Sequence, residues 1–292
     1  MVPDRSTTPV ATDRHRRRWP VAVGAAVVVV AALVLVALSR GPNDTASAPV
    51  SVPSAPTVTV GDGRIVTSLS LGGESTDAVL RRAEADLALS APRVERFWGT
   101  DWSDEIVVVA TGTDAEFAAA APGAPAGVAA VAVADAVDPL RRTAEGQRIV
   151  LGPGAGRMSD EALRLVLTHE LFHYAARPDT AADAPRWVTE GVADYVARSG
   201  PVPAMPAPTR LPSDNDFSTH GGQLSEAYDR AWLFARFIAD RYGEPALRDL
   251  YTAAAGPGHR DTDTALRQVT GTAPADLLDQ WRAWLAAAAE PR

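Results

Sequence analysis

The chain has no cysteine, and inspection of its 292 residues finds no lysine either. The first absence excludes a disulfide framework, thiolate zinc sites and a lipidated N-terminal cysteine. It leaves the compartment open, because a large exported domain can fold without disulfides. The second makes every one of the 28 Lys+Arg residues an arginine; with the abundance of Ala, this reads as a GC-rich coding bias of bacterial type rather than a functional signal. No basic stripe exists beyond the N-terminus and the net charge is −8, so nucleic acid is excluded as the main partner. No internal repeat is visible, and no peptidoglycan-binding repeat. What is present is 46% apolar and 22% charged, a globular balance. The length suits one large domain or two small ones.

Val21 to Ser39 is an uncharged run of Val, Ala, Leu and Gly, long enough as a helix to cover about 28 Å. Arg14, His15, Arg16, Arg17 and Arg18 precede it, and only Arg40 follows closely. The positive-inside bias then predicts a cytoplasmic basic N-terminus over 1–18, a transmembrane anchor over 19–39, and everything later outside the cell membrane. A cleaved signal peptide, with Ala37-Leu38-Ser39 as its small-residue site, is the alternative; the length of the run favours an anchor. Residues 40–63, with Pro49, Pro53 and Pro56 among Ser, Thr and Ala, read as an extracytoplasmic linker.

From Arg64 onward the pattern is globular. Strand character at Ile65–Leu71, Glu105–Ala110, Gly127–Val137 and Gln147–Leu151 alternates with helical spacing at Ser75–Phe97, where Ser75 is the expected N-cap, and at Thr113–Ala120. This predicts a small mixed sheet carrying helices over 64–158. Residues 159–292 read as a helical lobe. Its helices are expected from Ser159 to Pro178, from Asp183 to Ala197, from Gln223 to Tyr242, from Pro245 to Ala255, from Asp263 to Val269 and from Pro274 to Ala288. Trp98, Trp102, Trp232, Trp281 and Trp284 are expected to be packing residues.

Within the first of those helices stands His169-Glu170-Leu171-Phe172-His173. Residues four apart share a helix face, so His169 and His173 can direct two imidazole nitrogens at one metal. Glu170 lies beside that face, where it can take a proton from an activated water. A third ligand is needed, and Glu190 on the next helix is the candidate, completing a two-His, one-Glu zinc set. Asp194, four residues on, can accept the free ring N–H of a ligating His. Gly191 beside Glu190 would let two helices approach closely.

His169-Glu170-x-x-His173 followed by Glu190-x-x-x-Asp194 resembles the gluzincin branch of the zincin metallopeptidases, which includes thermolysin-like enzymes and M1 aminopeptidases. Trp187-Val188-Thr189-Glu190-Gly191-Val192-Ala193-Asp194-Tyr195 is similar especially to bacterial peptidase MA-like domains. The resemblance spans about 149–195, weakens towards 243, and does not extend before Gln147. It implies an α+β, zincin-like domain over 64–292, with a small mixed N-terminal sheet, a metal-binding helix and a helical C-terminal lobe, here preceded by one transmembrane helix. It also implies an oxyanion-stabilising Tyr or His from the C-terminal lobe. Tyr228 occupies the expected place, although the Lys-Gly that follows such a tyrosine in M1 enzymes is absent and its spacing equally suits a core residue. His220 is the other candidate, although it reads more readily as an ordinary loop histidine. An edge strand that pairs with substrate backbone is implied by the same analogy, with Ala129–Asp135 as its counterpart.

The expected function is a membrane-anchored, extracytoplasmic zinc metallopeptidase acting on a peptide or protein substrate, with Zn2+ as cofactor and Glu170 as general base. The absence of an acidic exopeptidase signature leans it towards endopeptidase action. The alternatives are a non-catalytic zincin-like sensor or scaffold, and a zinc amidohydrolase acting on a non-protein amide. Substrate identity and oligomeric state are not legible.

Overall fold

The computed structural model describes residues 57–203 and 205–288. Thr57–Val60 (β1) and Arg64–Ser70 (β2) form an antiparallel hairpin. Glu74–Trp98 (α1) then crosses over to Glu105–Ala110 (β3), which lies parallel to β2. Asp114–Ala120 (α2) begins at a reciprocal capping box between Thr113 and Glu116. Ala130–Val133 (β4) is followed by a separate small hairpin of Ala136–Asp138 (β5) and Thr143–Glu145 (β6), and then by Arg148–Leu151 (β7). The main sheet has the order β1-β2-β3-β7-β4, with β2, β3 and β7 parallel and the two edge strands antiparallel to their neighbours.

The period-two alternation of these strands divides the core. Ile106, Val108, Ala132, Ile149 and Leu151 join the large cluster that includes α1. Val109, Val131, Val133 and Val150 face the other way, onto Phe117 of α2. The large cluster continues into the helices that follow: Asp160–Ala176 (α3), Arg186–Ala197 (α4), Gly222–Tyr242 (α5), Glu244–Ala255 (α6), Thr262–Thr270 (α7) and Pro274–Ala288 (α8). Ser159 caps α3 through the Ala162 amide, and Asp160 and Glu161 complement the dipole of its first turn. The helix passes into a single 3-10 turn at Arg177–Asp179, which contains Pro178. Every residue from Val166 to Ala176 is buried, so this helix has no solvent face along the motif.

Trp98, Trp102, Trp232, Trp281 and Trp284 pack into or against the large cluster as expected, and Trp187 joins them. Trp98 sets an edge contact on Phe172, centroids 5.6 Å apart, and Trp281 does the same on Phe234 at 5.1 Å.

The expected α+β architecture preceded by a transmembrane helix is corrected. The domain is a mixed α/β arrangement with a helical C-terminal lobe, and β2-α1-β3 is a parallel crossover unit. No helix among the described residues is long and apolar enough to cross a membrane. The segments read as a basic N-terminus (1–18) and an anchor (19–39) lie outside the described residues. The linker expectation over 40–63 also changes at its end, because Thr57–Val60 alternates β-branched residues and pairs with β2. Two local readings shift as well. Gly73, not Ser75, stands at the N-cap of α1, and Gly127–Val137 divides into β4 and the first strand of the β5–β6 hairpin.

Gly191 does permit a close helix approach, and the helix it meets is α5. A Cβ at this position would stand 2.7 Å from the Ala231 carbonyl oxygen. Since backbone must move to admit it, Gly191→Ala is expected to destabilise the fold by about 1–3 kcal/mol. Chemical denaturation checks this; an unchanged midpoint would mean that α4 and α5 are not held at this separation.

Candidate metal centre

Three side chains converge between α3 and α4. His169 Nε2 lies 3.0 Å from His173 Nε2 and 3.2 Å from Glu190 Oε2, and His173 Nε2 lies 3.7 Å from the same oxygen. Nitrogen and oxygen ligands around a tetrahedral zinc at about 2.0–2.1 Å stand roughly 3.4 Å apart. The three separations bracket that value, and the ligand atoms of His169, His173 and Glu190 form a compact buried group. Helix periodicity aligns the two histidines, and the packing of α4 against α3 brings Glu190 to face them.

Electrostatics also fit a cation. Glu190 is wholly buried, yet neither of its oxygens accepts an aligned hydrogen bond from a described donor. A buried carboxylate in this condition is costly unless positive charge lies opposite it. Burial alone would raise Glu190, but the two imidazoles that face it outweigh burial and lower the group to about 2. For His169, burial is the largest single influence and acts downward. The carboxylates of Asp194, Glu190 and Glu170 together exceed it and raise the imidazole to about 10. His173 is lowered to about 4, first by burial and, against the pull of Glu190, by the neighbouring His169 charge. The surrounding carboxylates thus favour one positive charge on the imidazole pair, the condition that also suits a metal cation.

The supporting shell is built on the same two helices. His169 Nδ1 donates to Asp194 Oδ1 at 2.9 Å, which leaves Nε2 turned towards His173 and Glu190. Asp194 is in turn held by Arg198, four residues later, with Nη2 2.7 Å from Oδ2. Arg186, four residues before Glu190, places its Nε 3.6 Å from Glu190 Oε1. Sequence reasoning did not single out either arginine, although the spacing of four residues carried the signal.

Glu170 accepts a hydrogen bond from the Ala132 amide at 2.7 Å through Oε2, whereas Oε1 has no hydrogen-bond partner among the described residues. Burial raises its carboxyl to about 7. Ala132 belongs to β4, at the edge of the sheet, and its carbonyl accepts from buried Arg177 at 2.6 Å. The edge expected at Ala129–Asp135 is therefore present as Ala130–Val133, with both polar backbone groups of Ala132 already engaged by α3 and the turn after it. Neither Arg177 nor the role of Ala132 was anticipated; Arg177 lies four residues beyond His173, and a backbone amide leaves no mark on sequence.

The two oxyanion candidates are placed differently. Tyr228, on α5, is 2% exposed, and its hydroxyl accepts from Arg186 Nη2 at 3.0 Å. Burial, then the Glu190 charge, raise its phenol far above the usual range, so it stays a neutral hydroxyl. Phe217, from the 3-10 turn Asp214–Ser218, closes over the Tyr228 ring with centroids 5.1 Å apart. His220 is exposed in the turn before α5.

No protein-family model matches the chain, and neither does any curated protein. Among solved structures it is similar to a point mutant of an M1 zinc metallopeptidase from Deinococcus radiodurans, at 15% identity and a TM-score of 0.44, over 82% of this chain and 52% of that one. A mutant two-domain M1 zinc metallopeptidase bound to L-arginine is similar at 17% identity and a TM-score of 0.43, over the same shares. The chain spans about half the length of these proteins. The donor geometry stands independently of that overlap.

The protonation pattern makes a quantitative prediction. At pH 7 Glu190 is ionised and His173 neutral, while His169, raised to about 10, carries a proton that a metal must displace. Zinc binding at pH 7 should therefore release about one proton. Calorimetry in buffers of different ionisation heat measures it, and the release should fall away as pH rises through 10. Asp194→Asn should weaken zinc binding about 10–100-fold; unchanged affinity would remove Asp194 from the site.

Proposed function

We propose that this chain is a zinc-dependent hydrolase of amide bonds, a metallopeptidase acting on peptide or protein substrates. One observation carries the reading: beside a buried two-His, one-Glu donor set stands a second buried glutamate, Glu170, with one oxygen anchored and the other free. A purely structural zinc site is closed by four ligands and has no use for such a group.

Held by His169, His173 and Glu190, zinc would supply a Lewis acid and bring the ionisation of water towards neutrality. The rest is the work of the chain. The Ala132 amide fixes one oxygen of Glu170, which orients the other to accept the proton of an attacking water and later to pass it to the leaving amine. Burial holds its carboxyl above the ordinary carboxylate range, the direction that suits both tasks. Asp194 holds the His169 ring so that Nε2 keeps its direction. Tyr228, whose partner Arg186 reaches Glu190, is our candidate for donating to the developing oxyanion in preference to His220, which is exposed.

A peptide library incubated with the zinc-loaded chain tests this. Wild-type protein should cleave, and Glu170→Gln should lose about 10²–10⁴ in kcat while retaining zinc. Tyr228→Phe should lose about 10²–10³, with His220→Ala unchanged. Cleavage undiminished in Glu170→Gln would contradict the proposal, and zinc binding without cleavage by wild-type protein would favour the scaffold or non-protein amide readings.

A further inference from the structure

A cavity of about 430 Å³ is lined by residues of α1, α4, α5 and the start of α6 and includes none of the metal ligands. Its volume falls in the range of small-molecule sites. Four arginines and two carboxylates line it, in a chain whose net charge is −8. The charges are not evenly matched. Arg198 is held by Asp194 and Asp229, and Arg236 has Asp240 within 3.9 Å. Glu244 accepts from the neutral Tyr195 hydroxyl at 2.8 Å and keeps its negative charge, without an arginine in ion-pair range among the described residues. That leaves Arg93 and Arg96, one turn apart on α1, with no carboxylate in ion-pair range among the described residues. Arg93 makes a single hydrogen bond, to the Arg198 carbonyl at 2.8 Å. It is half-buried, and both burial and the neighbouring Arg96 charge press its pKa downward. Two guanidiniums one turn apart in a cavity lining, close enough to repel one another and neither with a carboxylate in ion-pair range, are suited to an oxyanion. Beside them Phe97 and Tyr195 form an aromatic wall, centroids 5.7 Å apart.

We propose that this cavity binds a small organic anion, its phosphate or carboxylate group gripped by Arg93 and Arg96 and its apolar part laid against Phe97 and Tyr195. Phosphate and carboxylate present the same paired oxygens to a guanidinium fork, and the ligand series below separates them. The site is distinct from the metal centre and reaches it through one chain of contacts, Arg198 to Asp194 to His169. For that reason Arg198 is unsuitable as a test position, whereas Arg96 is exposed and makes no described pair.

Calorimetric titration of the full chain with inorganic phosphate, phenyl phosphate, benzoate and benzylamine tests the assignment. Phenyl phosphate or benzoate should saturate one site, with the better of the two naming the preferred oxyanion. Inorganic phosphate should bind more weakly for want of the aromatic contact, and benzylamine should not bind. Arg96→Ala and Arg93→Ala should each weaken the anion by about tenfold or more. Arg96→Ala should leave thermal stability unchanged, which keeps the test open if Arg93→Ala unfolds. Absence of saturable anion binding would overturn the proposal. So would anion binding unaffected by Arg96→Ala, because an oxyanion seated at the metal centre does not depend on that residue.

Discussion

The constraint on which this structure turns is the burial of charge between α3 and α4. Glu170, Glu190 and Asp194 are each at most 1% exposed, and His169 and His173 lie among them. Removing even one such ion from water costs several kcal/mol unless opposite charge is supplied. The chain supplies part of it with arginines: Arg177 near Glu170, Arg186 near Glu190 and Arg198 on Asp194. The two imidazoles then share a further positive charge, raised on His169 and refused by His173. A cation in that position turns an expensive cluster into a coordinated one.

The fold arranges these groups by simple means. Ser159 starts α3, packing against the sheet, α1 and α4 buries it from Val166 to Ala176, and a 3-10 turn containing Pro178 ends it. Gly191 lets α5 close on the back of α4, and the 3-10 turn at Asp214–Ser218 pins the first turn of α4, where Asp214 accepts from the Trp187 amide at 3.0 Å. Ala132, at the sheet edge, anchors Glu170. The mixed sheet thus contributes to the site mainly as a rigid backing that places one amide.

Much of this was legible in residue spacing. The periodic helices α5 and α6 fall within a residue of expectation, and α8 begins where expected, because their apolar faces are long and Gly or Pro marks these ends. The β5–β6 hairpin was not legible, since each strand is three residues long, and β1 was masked by the Pro-rich stretch before it. In the site, the face-sharing rule that aligned His169 with His173 and Glu190 with Asp194 applies equally to Arg177, Arg186 and Arg198. All three stand four residues from a site residue. What no spacing rule can supply is the Ala132 contact, which depends on which strand occupies the sheet edge.

Diffraction from zinc-loaded crystals at energies above and below the zinc absorption edge tests the central claim most directly. The account predicts one strong anomalous peak within about 2.0–2.2 Å of His169 Nε2, His173 Nε2 and Glu190. A peak elsewhere with these side chains unmoved, or no peak from crystals soaked in excess zinc, would contradict it.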